Sequence, residues 1–211
     1  HANIHKALKY AVKFDLISSN PADKIERPKK ERFMANFYDA DEVNRLFEIS
    51  KGTKLEIPIL FGAFYGMRRS ETLGMKWDAI DFERDTITIR HTLTTVALDG
   101  KRITVAEDRT KNKSSMRTLP LVPFVKERLL ELKAEQEENR RLCGRSYVKD
   151  YTGYVCINEI GDIIKPNYVS CGFPKLLEEH GLRRVRYHDL RHSCASLLLA
   201  NGVPMKQIQE W

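Results

Sequence analysis

The spacing of apolar residues predicts that most of this chain is helical. Residues 2–16 (ANIHKALKYAVKFDL) place apolar side chains on one face of a helix, and this stripe needs another surface to pack on. A stretch rich in prolines and charged residues follows it. We therefore expect residues 1–21 to belong to one domain, residues 22–37 to be an interdomain linker, and residues 38–211 to form a second domain.

The second domain begins with a capping signal and continues mainly as helices. Asp39 or Asp41 can cap its first helix. A largely apolar helix then ends at Gly66, and a short capped helix follows it. A long charged helix is expected over about 122–142, and further helices from Tyr168 onward.

Strand patterns interrupt these helices in the middle of the chain. Residues 85–94 (DTITIRHTLT) alternate β-branched and polar side chains, and residues 102–110 do so less regularly. The Asp-Gly pair at 99–100 predicts a hairpin turn between them. Residues 116–121 can add a third strand, and a short strand is expected near 153–157. The predicted fold is α+β, mainly helical, with one small three-stranded antiparallel sheet.

The charge distribution favours a polyanionic partner. The formal net charge is +7 and the sequence pI is about 9.2. Residues 101–118 contain six Lys or Arg against two Asp or Glu, and residues 183–192 contain four arginines against one aspartate. Basic surfaces attract nucleic acid through electrostatic steering and counterion release, so nucleic acid is the leading partner class.

Cysteine usage and hydropathy indicate a cytoplasmic protein without membrane contact. The chain has four cysteines, Cys143, Cys156, Cys171 and Cys194. Their spacing is not that of zinc ligands, and no apolar segment has signal-peptide or membrane length. His1 and Trp211 both lie within apolar-periodic runs, so we expect both ends to be internal to a longer protein.

The segment HDLRH admits three interpretations. His188 and His192 could share a helix face as zinc ligands of a hydrolase, although Arg191 would then place a permanent cation beside the metal. Alternatively, His188 and Arg191 are three residues apart and can hold a phosphate while the imidazole exchanges a proton. The third interpretation is an ordinary helix start whose polar residues face solvent.

Two distant segments favour the phosphate interpretation. Arg68 follows the helix that ends at Gly66, and Glu71 can hold its guanidinium in place. The alternative is a surface ion pair of little energetic value. Residues 109–121 (RTKNKSSMRTLPL) concentrate four cations around a predicted turn, where a lysine could be presented to a ligand.

These segments together resemble the tyrosine recombinase, or phage integrase, family. In chain order they are GMRRSETLGMKWDAIDF, RTKNKSSMRTLPL and RYHDLRHSCASLLLANGVPMKQIQEW. Residues 2–30 resemble the last helix and linker of a core-binding domain, as in integrases of phages and conjugative transposons. The resemblance covers essentially the whole chain. It implies that residues 1–21 end a SAM-like core-binding domain and that residues 38–211 are the catalytic domain.

The resemblance also implies catalytic roles. Arg68 and Arg191 would clamp the scissile phosphate and neutralise the charge of its transition state. His188 would act as a general acid or base on the nucleophile side. Lys111 would protonate the departing 5′ oxygen, with Lys113 as the second candidate.

Further residues would support this centre. Glu71 and His192 would fix the arginines and the helix, and Lys113 and Arg117 would contact DNA. The family's nucleophilic tyrosine follows a Gly-His box, yet no tyrosine follows Tyr187 here. We expect the Tyr187 ring to pack under the helix start. The 211 residues are therefore expected to bind DNA without cleaving it, and their nucleophile to lie outside them.

The implied function is site-specific recombination that integrates or excises a mobile element. The implied partner is double-stranded DNA at recombination sites, with a homo-tetramer in the synaptic complex. No metal or nucleotide cofactor is expected, since a phosphotyrosine intermediate retains the energy of the broken phosphodiester. The alternatives are a catalytically inactive DNA-binding regulator, a zinc hydrolase using HDLRH, and a type IB topoisomerase.

Overall fold

The computed structural model describes residues 1–26, 36–99, 101–107 and 116–211. The chain divides into two units, His1–Met34 and Ala35–Trp211. In the described ranges, no helix combines the length and apolar composition that a membrane crossing requires.

The described part of the first unit, residues 1–26, contains one helix and one tight turn. Helix α1 spans Ala2–Lys13, and a 3-10 turn spans Pro21–Lys24. The helix is shorter than the predicted 2–16, because the chain turns at Asp15, which has a left-handed φ of 55°. Asn20 ties the turn to the helix, since its side chain accepts from the Ala22 amide at 3.0 Å and donates to the helix carbonyl of His5 at 3.1 Å. The apolar stripe of α1 remains largely exposed within this unit, with no buried residue.

The second unit is mainly helical, which confirms the predicted fold class. Its helices in the described ranges are α2 (Ala40–Ser50), α3 (Glu56–Phe64), α4 (Arg69–Gly74), α5 (Pro123–Cys143), α6 (Pro166–Glu179), α7 (Leu190–Ala200) and α8 (Met205–Glu210). Asp39 caps α2 and forms a reciprocal capping box with Glu42. The apolar helix α3 lies at the centre of the core, where Ile59 and Phe61 are fully buried. It packs against α2, α4 and α7, which brings the start of α4 and the start of α7 together.

The β-strands in the described ranges form two small sheets. Strands β1 (Ile80–Asp81), β2 (Thr86–Ile89) and β5 (Arg117–Pro120) make a three-stranded antiparallel sheet in the order β1-β2-β5. Strands β3 (Thr92–Leu98) and β4 (Lys101–Glu107) make a separate antiparallel hairpin. The predicted sheet size is therefore correct, although its strands differ from those expected.

The expected continuous strand 85–94 is broken at Arg90 and His91. Arg90 turns toward Asp78, where its Nη2 donates to the backbone carbonyl at 3.1 Å. The His91 side chain is buried beside the same aspartate. The hairpin therefore leaves the first sheet after Ile89. The strand expected near 153–157 was also wrong, because this segment forms only isolated bridges with Lys76 and Ile163.

Candidate functional site

The candidate site is built around a buried carboxylate at the start of α4. Glu71 is only 2% exposed. Its Oε2 accepts from the Arg68 backbone amide at 2.9 Å, and its Oε1 accepts from Arg68 Nη1 at 2.7 Å. The Arg68 side chain keeps half of its surface exposed. Glu71 therefore fixes both the backbone and the guanidinium of Arg68 while leaving that guanidinium open to a ligand.

A second guanidinium reaches the same carboxylate from β5. Arg117 Nη2 lies 3.1 Å from Glu71 Oε2, and Arg117 Nη1 lies 3.4 Å from Oε1. The side chain of Arg117 is only 11% exposed. Burial, the largest single influence, raises the pKa of Glu71, but the hydrogen bonds and charges of Arg117 and Arg68 together lower it below its usual range. Glu71 is thus an anion at neutral pH, shared by two cations.

The third guanidinium comes from the first turn of α7. Arg191 Nη1 donates to the Gly66 carbonyl oxygen at 2.5 Å. Gly66 has a left-handed φ of 60°, which turns the chain from α3 toward Arg68. Burial and then the charges of Arg117 and Arg68 lower the pKa of Arg191. Three like charges are thus gathered around one carboxylate, an arrangement that an incoming anion would stabilise.

His188 lies in a 3-10 turn, Tyr187–Asp189, immediately before α7. Desolvation, followed by the charge of the neighbouring His192, lowers its pKa, so its neutral form is favoured. The His188 and His192 rings meet edge to face with centroids 5.9 Å apart. A neutral imidazole can accept a proton, which is the chemistry expected of a general base.

Asp189 holds the backbone around His188. It is 2% exposed and accepts from the Arg186 backbone amide at 2.9 Å and from Arg186 Nη2 at 2.7 Å. The Arg186 hydrogen bonds to this carboxylate lower the pKa of Asp189. Both carboxylate oxygens of Asp189 therefore accept hydrogen bonds within the turn.

The Tyr187 side chain packs beneath the turn that precedes α7. It is buried, its hydroxyl donates to the Pro58 carbonyl at 2.5 Å, and the same hydroxyl lies 3.2 Å from Thr72 Oγ1. Its ring meets Phe173 edge to face. Desolvation raises the pKa of Tyr187 well above its usual range. This placement matches the expectation that the ring packs beneath the helix.

The start of the second unit is fastened to the same helix. The Tyr38 backbone amide donates to Ser193 Oγ at 2.9 Å, and Ser193 lies in the second turn of α7. The Tyr38 hydroxyl bonds the Arg183 carbonyl, and the Arg183 guanidinium stacks 5.3 Å from the Tyr38 ring centroid. Sequence patterns gave no signal for this contact, because it joins residues 155 positions apart.

The structure brings four of the expected site residues together. Arg68, Glu71, Arg117 and Arg191 form one cluster, here called the arginine cluster. Arg117, which is expected to contact DNA, is largely covered and pairs with Glu71. Lys111 and Lys113 lie outside the described residues, as does Arg109.

The zinc interpretation finds no ligand set in the described part of the chain. No group of three or more His, Cys, Asp or Glu side chains there is arranged to hold a metal. Asp189, the carboxylate of HDLRH, is bound to Arg186. Burial raises the pKa of the Cys156 thiol to about 12 and that of the Cys194 thiol to about 11, so both stay protonated at neutral pH. The phosphate interpretation is the one that this geometry favours.

Comparison with known proteins identifies the family of this chain. Residues 36–211 match the model of the phage integrase family. The chain is 30% identical over 200 residues to a XerC-like tyrosine recombinase of Caldanaerobacter subterraneus subsp. tengcongensis, covering 92% of this chain and 50% of that protein. It is 29% identical over 195 residues to the tyrosine recombinase XerA of Thermococcus onnurineus, covering 90% and 57% respectively. The chain thus spans about half the length of these curated relatives.

The fold matches that of solved integrases. The Tn1549 transposon integrase in complex with a circular intermediate DNA superposes with a TM-score of 0.76 at 18% identity, covering 98% of this chain and 67% of that one. At this identity the likeness concerns the fold.

Proposed function

Since the chain belongs to the phage integrase family, we propose that it is the phosphate-binding part of a site-specific DNA recombinase. The proposed recombinase, of which this chain is a part, breaks and rejoins double-stranded DNA through a 3′-phosphotyrosine intermediate. The observation that supports this most directly is the arginine cluster. Three guanidiniums with one carboxylate among them suit a dianionic phosphorane better than any neutral ligand.

In this proposal Arg68 and Arg191 hold the two non-bridging oxygens of the scissile phosphate. A tyrosine oxygen attacks phosphorus, the bond to the 5′ oxygen breaks, and the departing oxygen takes up a proton. The arginines stabilise the charge that accumulates on phosphorus oxygens in the transition state. The reverse attack by a 5′ hydroxyl restores the phosphodiester, so the reaction needs no external energy source.

Acid and base roles follow from the surroundings of each group. The lowered pKa of His188 keeps it neutral near pH 7, so it can take the proton of the attacking tyrosine. Lys111, or Lys113 as second candidate, is proposed to protonate the leaving oxygen. Glu71 and His192 position the arginines and the helix. Tyr187 is not proposed as the nucleophile, because its hydroxyl is buried against Pro58.

The same proposal includes the domain organisation and the assembly of the protein. Residues 1–21 would end a core-binding domain, 22–37 would form the linker and 38–211 the catalytic domain. The boundary between the two units at Met34 and Ala35 and the start of the family match at residue 36 support this division. A homo-tetramer would synapse two DNA duplexes, and the protein would work in the cytoplasm.

The test is covalent attachment to DNA by the protein at its full encoded length. A nicked duplex carrying an end of the element should trap a detergent-resistant protein–DNA adduct. Arg68→Ala and Arg191→Ala should abolish the adduct while leaving most duplex binding, because binding is spread over many phosphates. Arg84→Ala is the matched control, since the Arg84 side chain is 85% exposed and lies outside the cluster.

Each alternative predicts a different outcome. A DNA-binding regulator would bind the duplex tightly and form no adduct. A type IB topoisomerase would relax supercoiled plasmid without requiring an element end. A zinc hydrolase would contain metal and lose activity with a chelator.

A further inference from the structure

A groove lined by two cationic side chains lies beside the arginine cluster and plays no part in the proposed reaction. It has a volume of about 560 Å³ and opens between α4, the β3–β4 hairpin and the first turn of α6. Its polar lining includes Arg69, Ser70, Thr94, Thr104, Lys165 and Asn167. It carries two cations and several hydroxyl or amide groups. None of its described lining residues is acidic.

A second cavity in the same unit shows that this composition is not general. That cavity, about 170 Å³ between α3 and α5, is lined by Glu56, Glu135 and Glu159 together with Arg128 and Lys54. Arg128 is neutralised there, with its Nε 2.7 Å from Glu56 Oε1 and its Nη1 3.0 Å from Glu135 Oε1. The groove beside α4 differs, because no carboxylate among the described residues lines it or pairs with its two cations. The electrostatic potential in the groove beside α4 therefore favours the binding of an anion.

Arg69 is held over the groove by a specific contact. Its Nη1 bonds Ser170 Oγ, and that hydroxyl donates in turn to the Pro166 carbonyl at 3.1 Å. One nitrogen of the fork is thereby fixed to α6. Within the described ranges, no carboxylate pairs with Arg69 and its side chain is exposed, so the remaining N–H groups are open to a ligand.

Lys165, the residue before α6, is the second cation that lines the groove. It is exposed at the start of α6, and no ion pair involving it occurs among the described residues. The same groove is lined by threonine hydroxyls and an asparagine amide, side chains that commonly contact the sugar-phosphate backbone. The lining thus suits a phosphate diester better than a compact free anion, because its donors are spread along a groove.

We propose that this groove binds a backbone phosphate of duplex DNA next to the phosphate held by the arginine cluster. Arg68 and Arg69 are consecutive, yet Arg68 is bound to Glu71 and Arg69 to Ser170 on α6. One DNA strand crossing the start of α4 would therefore meet a guanidinium at each of two successive sites. This inference rests on the proposed function, and its role is to fix the register of the strand rather than to take part in bond breaking.

The test is the salt dependence of binding to a fluorescein-labelled 30-base-pair duplex of arbitrary sequence. Each neutralised phosphate contributes about −0.9 to the slope of log K against log salt concentration. The double variant Arg69→Gln, Lys165→Gln should therefore reduce the magnitude of the slope by about 0.9. Arg69→Lys keeps the charge and should retain the slope. Lys175→Gln is the matched control, since it removes one exposed lysine about 15 Å along the same helix.

The outcomes separate this inference from the proposed function. If the wild-type chain fails to bind duplex DNA, the proposed function fails. If it binds and the double variant keeps the wild-type slope, or Lys175→Gln lowers the slope equally, the groove does not hold a backbone phosphate. If millimolar inorganic phosphate raises the melting temperature of the wild type only, while both proteins share one DNA slope, the groove binds free phosphate instead. Equal melting temperatures without ligand establish that the variants are folded.

Discussion

Arg191 Nη1 lies 2.5 Å from the carbonyl oxygen of Gly66, so the two arginine-bearing motifs meet directly although 125 residues separate them. The contact fixes one arm of the guanidinium fork on the turn that precedes Arg68. Its other N–H groups can then point at the same ligand as Arg68. The backbone of one motif thereby positions the side chain of the other.

This contact predicts that lysine cannot replace Arg191. Lysine keeps the charge but has a single ammonium, which cannot bind the Gly66 carbonyl and two phosphate oxygens in the same geometry. In the protein at its full encoded length, Arg191→Lys should slow adduct formation about 10²- to 10³-fold. Duplex affinity should change little. A rate within threefold of wild type would show that the fork geometry is not required.

The lowered pKa of Glu71 predicts that the unfolding free energy of the protein depends on pH. Its pKa is lowered in the folded state, so its contribution is fully present above the unfolded value near 4.5 and is lost as pH falls through the folded pKa. Glu71→Gln leaves Arg68 and Arg117 without their anion and should cost about 3 kcal/mol at pH 7, near the lower limit for a broken buried pair. Urea unfolding from pH 7 to pH 3 measures both effects. The cost should shrink toward acidic pH, and a pH-independent difference would contradict the assignment.

Gly74 predicts a steric limit between α4 and the β3–β4 hairpin. A Cβ there would lie 2.6 Å from the backbone of Thr92 and 2.8 Å from the Leu93 nitrogen. Gly74→Ala should therefore lower the unfolding free energy by about 1–3 kcal/mol, since backbone must shift. Gly153→Ala is the control, because a Cβ at Gly153 meets nothing within 4 Å. Thermal melts that show equal losses for both variants would rule out this close approach.

His188 predicts a titration that can be followed by NMR. Its pKa is lowered, first by desolvation and second by His192, so its imidazole should titrate below 6.5. His192→Gln should raise the midpoint, because a neighbouring positive charge is removed. His180→Gln, at the distant end of α6, should leave it unchanged. A folded pKa below the unfolded value also means that His188 favours unfolding at acidic pH and that this penalty disappears above about 6.5.

How much the sequence could predict depends on the range of each interaction. The cap of α2, expected at Asp39 or Asp41, and the pairing of Arg68 with Glu71 are local, so residue spacing was sufficient to predict them. The contact of Arg117 with Glu71 joins residues 46 positions apart and depends on the register of β5 against β2. No periodicity encodes that register. Arg117 was therefore expected to contact DNA and its partnership with Glu71 was missed.

The composition of the sheet was missed for a related reason. The two-residue strand β1 is too short to produce an alternating pattern, yet it supplies one edge of the three-stranded sheet. The break at Arg90 and His91 depends on Asp78, which lies on a different segment. Alternation continues through the break in the sequence, so the pattern alone predicted one strand. Tertiary contacts decide where such a strand ends.

Tyr187 is adjacent to a proposed catalytic residue, and its burial predicts that it is structural. Tyr187→Phe removes the hydroxyl that donates to the Pro58 carbonyl and lies against Thr72, which should cost about 1–3 kcal/mol of unfolding free energy. Covalent DNA attachment by the protein at its full encoded length should nevertheless remain largely intact, because a buried hydroxyl with a raised pKa cannot reach a phosphate. Tyr168→Phe, at an exposed position, is the control for both measurements. Loss of the adduct in a folded Tyr187→Phe protein would make Tyr187 the nucleophile, whereas a stability loss with the adduct retained places it in the support of α7.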